Sequence, residues 1–256
     1  NKALADKIGL RNVRILAPKS GILKKLVTLC PTQHAHAVRA ALFNAGAGQI
    51  GHYAQCSFNV AGEGTFTAQD GANPFVGNIG IPQTEAELRI EVLYPEHLEK
   101  TVLSALKEAH PYEEVAYFLQ TLSNSHQEIG SGMIGELPEA QDPLAVLHHI
   151  KSKLGVPVIR HTQLLEKKIK KIAICGGSGS FLLPNALAAG ADMFVTADYK
   201  YHEFFDADKQ VVIADVGHFE SEQFTQMLLF ETITKIFPNF ALHLTEQVTN
   251  PIKYLI

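Results

Sequence analysis

A histidine and two carboxylates follow an apolar stretch in the segment "IADVGHFESEQF", residues 213–224. His218 and Glu222 are four residues apart, so on a helix their side chains project from the same face. Asp215 can approach the same point, because Gly217 permits a sharp turn between a strand and a helix. Such ligands suit zinc, manganese, iron or nickel. The spacing therefore indicates either part of a divalent metal site or an ordinary His/Glu pair on a helix surface.

A second polar cluster follows an apolar stretch in "TADYKYHEFFDAD". Asp198, Lys200, Tyr201 and His202 fall within five residues of each other and provide a carboxylate, an ammonium and an imidazole. These groups can carry out general acid–base chemistry. Lys200 and His202 are therefore predicted as catalytic residues, against the alternative that the cluster is only a polar surface.

A third candidate is the glycine-rich segment "CGGSGS", residues 175–180, directly after an apolar strand. Glycines at such a position can expose backbone N–H groups to an anion at the start of a helix. We therefore predict that Gly176, Gly177 and Ser178 bind the phosphate of a ligand. The segment matches neither a GxGxxG nor a Walker pattern, so a simple tight turn is the alternative.

The segments that must position these residues alternate between strand and helix patterns after about residue 125. Alternation of this kind predicts an α/β layer, with helices on both faces of the sheet and ligand sites at the carboxyl ends of its strands. The predicted helices are 142–155, 181–191 and 221–238, and the predicted strands are 170–177, 192–198, 210–217 and 240–247.

The preceding hundred residues have a different order: strand, helix, strand, strand, helix, strand. This order is typical of a ferredoxin-like, split βαβ unit, in which two helices cover one face of the sheet. The segment "LAPKSG", residues 16–21, contains proline, serine and glycine and predicts a domain boundary before this unit. The opening residues "NKALADKIGL" have helical spacing and resemble the last turns of a helix that begins elsewhere.

Composition limits the class of protein. The chain has 256 residues, of which 46% are hydrophobic and 19% charged, as expected of one large or two ordinary globular domains. The formal charge of −4 argues against a nucleic-acid-binding face. No apolar run is long enough to span a membrane, and three widely spaced cysteines fit free thiols in a reducing compartment. A cytoplasmic location is therefore expected.

Several phrases occur in a fixed order that extends through nearly the whole chain. They are "AGAGQIGHYAQCSF", "GTF", "NPFVG", "AHPYEEVAY", "CGGSGS", "TADYKYH" and "DVGHFESE". Together they closely resemble the GTP cyclohydrolase 1 type 2 homologue family, the YqfO-like dinuclear-metal proteins.

The resemblance implies a two-part protein. Residues 1–20 would end the amino-terminal half of a metal-binding α/β domain, 21–123 would form a ferredoxin-like insert similar to the CutA and PII proteins, and 124–256 would form the carboxy-terminal half. It also implies a homo-oligomer, a toroidal hexamer with paired divalent metals facing an internal cavity. The final phrase assigns His218 and Glu222 as metal ligands.

The remaining ligands of that family are a neighbouring pair of histidines and an aspartate, which belong to an amino-terminal half. This sequence holds no matching pair upstream of the insert, and His148 and His149 lie in the wrong segment. We therefore expect the other ligands to lie outside this sequence.

Two hypotheses of function follow. The first is a metal-dependent hydrolase acting on a phosphorylated or nucleotide-like small molecule. The second is a non-catalytic, metal- or ligand-binding regulatory or scaffold oligomer. Neither requires a nucleic acid or a membrane as partner.

Overall fold

The computed structural model describes residues 1–255, which divide into two compact units. One unit contains residues 1–18 and the described residues from 128 onwards, and the other contains residues 19–127. The predicted insert, 21–123, lies within the second unit. The description of that segment as an insert stays a prediction.

Helices and strands are numbered along the chain. The helices are α1 (Lys2–Ile8), α2 (Ala35–Asn44), α3 (Glu99–Ala109), α4 (Pro143–Leu154), α5 (Leu183–Ala188), α6 (His218–Glu222) and α7 (Thr225–Ile236). The strands are β1 (Arg11–Ser20), β2 (Leu23–Pro31), β3 (Phe58–Thr67), β4 (Pro82–Pro95), β5 (Tyr117–Leu122), β6 (Ser125–Gln141), β7 (Arg160–His161), β8 (Ile169–Ser178), β9 (Met193–Ala197) and β10 (Val212–Asp215). Short 3₁₀ helices span Glu96–Leu98, Ser180–Leu182 and Tyr201–Ala207.

The larger sheet has six strands in the order β1-β6-β8-β9-β10-β7. Its centre is parallel, because β9 pairs in parallel with both β8 and β10. Strand β6 pairs antiparallel with β8, and β7 pairs antiparallel with β10. Every residue of β9 is buried, as expected of a parallel strand covered on both faces.

Both faces of the parallel strands are covered by helices. On one face, Ile172 and Val195 pack in the same core as Ile150 of α4. On the other, Ala173 and Phe194 share a core with residues of α5. Neighbouring residues such as Ile172 and Ala173 lie in different cores, because successive side chains of a strand point to opposite faces of the sheet.

The second unit has a four-stranded antiparallel sheet in the order β3-β4-β2-β5. Helices α2 and α3 contribute Leu42 and Leu106 to a single core that also contains Leu26 and Ile90 of the sheet. The order of strands and helices is the one that the sequence pattern predicts. Its classification as a ferredoxin-like fold related to CutA or PII stays a prediction.

Three expectations about the elements are wrong or incomplete. Strands β1, β6 and β7 are absent from the sequence prediction, and the expected boundary at 16–21 lies largely inside β1. The predicted strand 240–247 is wrong, because those residues have no regular secondary structure. Phe240 and Leu244 are exposed there, and a strand without a pairing partner leaves its backbone groups unpaired.

No helix within residues 1–255 is long and apolar enough to cross a membrane.

The start of α4 provides a test of the local structure. Asp142 accepts hydrogen bonds from the backbone N–H groups of Leu144 and Ala145 at 2.9 and 3.2 Å, directly before Pro143. Asp142→Ala should lower the free energy of unfolding by about 1 kcal/mol, because two N–H groups lose their acceptor. Asp142→Asn should lower it by much less, since an amide oxygen also caps. Urea denaturation measures both, and equal losses in the two variants would contradict this role.

Candidate functional site

The carboxyl ends of the parallel strands bring three separate segments together. The Thr196 hydroxyl of β9 donates a hydrogen bond to the Gly177 carbonyl of β8 at 3.1 Å. The Val216 N–H, just after β10, donates to the Thr196 carbonyl at 2.9 Å. The residues that follow the three strands therefore lie at one edge of the sheet.

Helix α6 begins at this edge and is fixed to β8. Gly217, with φ of 89°, forms the turn between β10 and the helix, as the sequence predicts. Ser221 donates its hydroxyl to the His218 carbonyl and accepts the Gly177 N–H, each at 2.8 Å. This pair of hydrogen bonds sets the rotation of α6, and therefore the direction of the side chains on its exposed face.

His218 and Glu222 lie together on that exposed face. His218 Nε2 is 3.3 Å from Glu222 Oε2, and the two side chains are 50% and 51% exposed. On its other side, His218 Nδ1 is 2.6 Å from Asp198 Oδ2. Asp198 follows β9 in a left-handed conformation, with φ of 58°, which aspartate tolerates better than most residues. The hydrogen bond to Asp198 is the main cause that raises the pKa of His218.

The order of these three side chains determines what the imidazole offers. An ionised Asp198 carboxylate can only accept, so it holds the ring proton on Nδ1. In the neutral ring, Nε2 then presents a lone pair to the carboxylate of Glu222. Two such acceptors at 3.3 Å repel each other unless a proton or a cation lies between them. The arrangement is therefore suited to holding positive charge.

Gly177 allows Glu222 to lie against the end of β8. A Cβ atom on this glycine would be 2.8 Å from Glu222 Oε1 and 3.3 Å from His218 Cε1. Its φ of 67° also disfavours other residues. The glycine therefore suits the turn and leaves room for the Glu222 carboxylate beside His218.

The predicted phosphate-binding segment has its first two N–H groups engaged within the protein. Gly176 donates to Asn1 Oδ1, and Gly177 donates to Ser221 Oγ, each at 2.8 Å. Ser178 is the exposed last residue of β8 and pairs with Ala197. Phosphate binding by this segment stays a prediction, while its contacts show that it supports α6.

Asp215 does not join the site, in contrast to the expectation that it approaches His218 and Glu222. Its carboxylate is buried and accepts hydrogen bonds from the Arg160 guanidinium, from Tyr199 N–H at 3.0 Å and from Gly217 N–H at 3.0 Å. Asp215 ends a strand whose residues are all buried, so its side chain stays within the fold. Asp215 therefore stabilises the turn.

Lys200 and His202, the predicted catalytic residues, lie at the start of the 3₁₀ helix that follows Asp198. Both are exposed, and the His202 ring packs edge-on against Tyr201 at 5.4 Å. No hydrogen bond joins either side chain to His218 or Glu222 among the described residues. Their catalytic role stays a prediction.

Asp198 is the residue whose role the sequence did not reveal. The sequence places it in the acid–base cluster with Lys200, whereas the structure pairs it with His218. The available signal was its position directly after a strand that neighbours β10. Across residues 1–255, no three or more His, Cys, Asp or Glu side chains are arranged to hold a metal ion by themselves.

The family model of Duf34/NIF3 (NGG1p interacting factor 3) matches residues 1–251 of this chain. The chain belongs to the Duf34/NIF3 family. It is 40% identical over 220 residues to a Halalkalibacterium halodurans protein named GTP cyclohydrolase 1 type 2 homolog, covering 85% of this chain and 59% of that protein. A Bacillus subtilis protein of the same name is 35% identical, with 100% and 70% covered.

Solved structures agree with this membership. A Bacillus cereus protein related to NIF3 has a TM-score of 0.83 and 36% identity, and the match covers 100% of this chain and 69% of that protein. The Duf34/NIF3 chain described here thus spans 59% to 70% of the length of these relatives. The expectation that further ligands lie in an amino-terminal half stays a prediction.

The contact between Gly177 and Glu222 can be measured by substitution. Gly155 is a matched control, because its φ of 64° is similar and no atom lies within 4 Å of its hypothetical Cβ. Gly155→Ala should cost about 1–2 kcal/mol for its backbone conformation alone. Gly177→Ala should cost slightly more in urea denaturation, because the methyl group also moves the flexible, half-exposed end of the Glu222 side chain. Combining Gly177→Ala with Glu222→Ala should remove the excess, and an unchanged excess would rule out this contact as its cause.

Proposed function

We propose that this Duf34/NIF3 chain contributes His218 and Glu222 as ligands to a divalent metal site. The observation that supports it is the facing pair of atoms, His218 Nε2 and Glu222 Oε2, 3.3 Å apart on an exposed helix face. Zinc–ligand bonds of roughly 2.0–2.2 Å at angles of about 90–110° separate two ligand atoms by about 3.0–3.4 Å. The pair therefore fits the space that one ion requires.

Asp198 strengthens this interpretation. Metal-binding histidines commonly donate their second ring N–H to a carboxylate, which fixes the tautomer and the ring orientation. The 2.6 Å contact between His218 Nδ1 and Asp198 Oδ2 has this geometry. Asp198 would thus position a ligand without being one.

Two ligands from this chain do not complete a metal site. The remaining positions would be filled by water or by side chains outside residues 1–255 of one chain. The predicted histidine pair and aspartate are candidates for these side chains. Paired metals and a hexameric assembly belong to the same proposal. The exposure of His218 and Glu222 leaves room for such additional groups.

A metal-dependent hydrolase is the function that we propose for the assembled site. A divalent ion there would supply Lewis acidity and lower the pKa of water. A cavity of about 570 Å³ adjoins the pair and is lined by Gln226, Gln247 and Asn250 among others. These amide side chains can donate and accept hydrogen bonds, as the polar edges of a nucleotide-like substrate require. Lys200 and His202 would act as anion clamp or proton donor from the following turn.

The name that these relatives share, GTP cyclohydrolase 1 type 2 homolog, suggests GTP as a substrate to test. A non-catalytic scaffold or ligand sensor in the cytoplasm, built around a CutA/PII-like ferredoxin unit, is the second candidate. The antiparallel order β3-β4-β2-β5 with two helices on one face favours this unit as a separate module. Metal-dependent turnover of GTP or of a phosphoester panel would support the hydrolase. Metal binding without turnover of any panel member would support the scaffold.

Substitution of the pair tests the metal site without an activity assay. His218→Ala and Glu222→Ala should each reduce the zinc or manganese bound per chain at least tenfold, because each removes one ligand. Elemental analysis after gel filtration measures the bound metal. His148→Ala and Glu231→Ala are matched controls, since both residues are exposed and belong to other helices. Metal content unchanged by both His218→Ala and Glu222→Ala would refute the assignment.

Asp198→Asn extends the same experiment to the positioning residue. An amide can accept through its oxygen or donate through its nitrogen and carries no charge, so it fixes the ring proton on Nδ1 less firmly, and the metal dissociation constant should rise about 10- to 100-fold. Calorimetric titration measures this constant. A loss as complete as that of His218→Ala would instead identify Asp198 as a direct ligand, and no change would show that it does not position His218.

A further inference from the structure

A second cavity, of about 390 Å³, lies entirely within the unit of residues 19–127. It is an open cleft lined by the end of β3, the loop that follows it, and residues 112–116 before β5, together with Glu87 of β4. Three of the quoted sequence phrases converge here, namely "GTF" (64–66), "NPFVG" (73–77) and "AHPYEEVAY" (109–117). None of the three takes part in the His218–Glu222 site. Its volume is within the usual range for small-molecule sites.

Aromatic rings form much of the wall of this cavity. The Tyr112 ring lies 5.9 Å from Phe66 and 6.2 Å from Phe75, measured between ring centroids. His34 packs edge-on against Phe75 at 5.3 Å and supports it from outside the cavity lining. The faces of such rings carry partial negative charge and attract cations.

A buried carboxylate lies beside these rings. Glu87 is only 7% exposed, and its Oε1 accepts a hydrogen bond from the Tyr112 hydroxyl at 3.1 Å. Its Oε2 has no hydrogen-bond or ion-pair partner among residues 1–255. The oxygen lies against Gly64, where a Cβ atom would be 2.2 Å away, so the glycine makes room for the carboxylate. Glu87 lines the cavity, so Oε2 can accept a hydrogen bond from a charged donor that enters it.

The cavity around Glu87 has no positively charged side chain in its lining. The cavity lining contains Glu113 and Glu114 as its other charged residues and has no lysine, arginine or histidine. The neighbouring His110 accepts the Tyr112 N–H on Nδ1 and has its Nε2 beside the Leu29 carbonyl, the arrangement of a neutral ring, and burial lowers its pKa. Burial, with Glu87, raises the pKa of Tyr112, so its hydroxyl stays a neutral donor. The cavity is therefore negative and aromatic.

We propose that this cavity binds a small organic ammonium ion. The cation pairs with Glu87 Oε2, while its alkyl groups contact the faces of Phe66, Phe75 and Tyr112. A divalent metal fits less well, because the three glutamates of the lining are not arranged as a cluster of metal ligands, and no such cluster occurs among residues 1–255. The lining of this cavity belongs to the unit of residues 19–127, whereas His218 and Glu222 belong to the other unit.

Calorimetric titration of the full chain tests this with matched probes. Butylammonium and tetramethylammonium chloride represent the cation, and butanol is a neutral counterpart of similar size. We expect one equivalent of cation to bind, with butanol at least tenfold weaker because it lacks the charge. Equal affinity for butylammonium and butanol, or no binding of either cation, would overturn the proposal.

Two variants locate the binding. Glu87→Gln keeps the shape but removes the charge, and it should weaken cation binding about tenfold or more. Glu63→Gln is the control, because Glu63 is exposed on the adjacent strand and does not line the cavity. Phe75→Leu provides a second test should Glu87→Gln fail to fold, since Phe75 is 52% exposed and its ring can be removed without opening the core. Wild-type affinity in folded Glu87→Gln, or in Phe75→Leu, would exclude this cavity as the site.

Discussion

The parallel pairing of β8, β9 and β10 determines where the polar groups of the candidate site lie. Parallel strands end at the same edge of a sheet, so the residues after each strand become neighbours despite their separation in sequence. The register aligns Thr196 with Asp215, and the Thr196 hydroxyl closes the contact to Gly177. Any change that shifts one strand against the next would separate Asp198, His218 and the end of β8.

Stability and chemistry are supplied by different groups at this edge. The buried Asp215 carboxylate, paired with Arg160 and two backbone N–H groups, holds the turn after β10 from inside the fold. Ser221 anchors α6 to Gly177 on the inner side of the helix. His218 and Glu222 are consequently free to face outward, half exposed, where they make few contributions to packing and remain available to a ligand. Removing their side chains should therefore affect ligand binding more than folding.

Much of this arrangement could be predicted from local patterns. The apolar strands and the helices between them follow from hydrophobic periodicity, and the four-residue spacing already pairs His218 with Glu222. The partner of His218 could not be predicted, because Asp198 reaches it through a left-handed backbone conformation that no local pattern specifies. Asp215 was expected to approach His218 and Glu222, whereas its buried carboxylate pairs with Arg160. Local patterns do not reveal this contact, because Arg160 is distant in sequence. Sequence alone likewise gave no sign that Glu87, Phe66 and Tyr112 share a cavity.

We thus propose a different kind of cation site in each unit, one with a histidine and a carboxylate on a helix surface, the other with a carboxylate among aromatic rings. The central claim concerns the first, that His218 and Glu222 face a divalent ion together. Its most direct test is a titration of the isotope-labelled full chain with paramagnetic Mn²⁺, followed by line broadening in its NMR spectrum, with Mg²⁺ as the diamagnetic reference. We expect the resonances of His218 and Glu222 to broaden at the lowest metal concentrations, before those of other exposed carboxylates and histidines. Broadening that begins elsewhere, or that affects all exposed carboxylates equally, would contradict the proposed metal site.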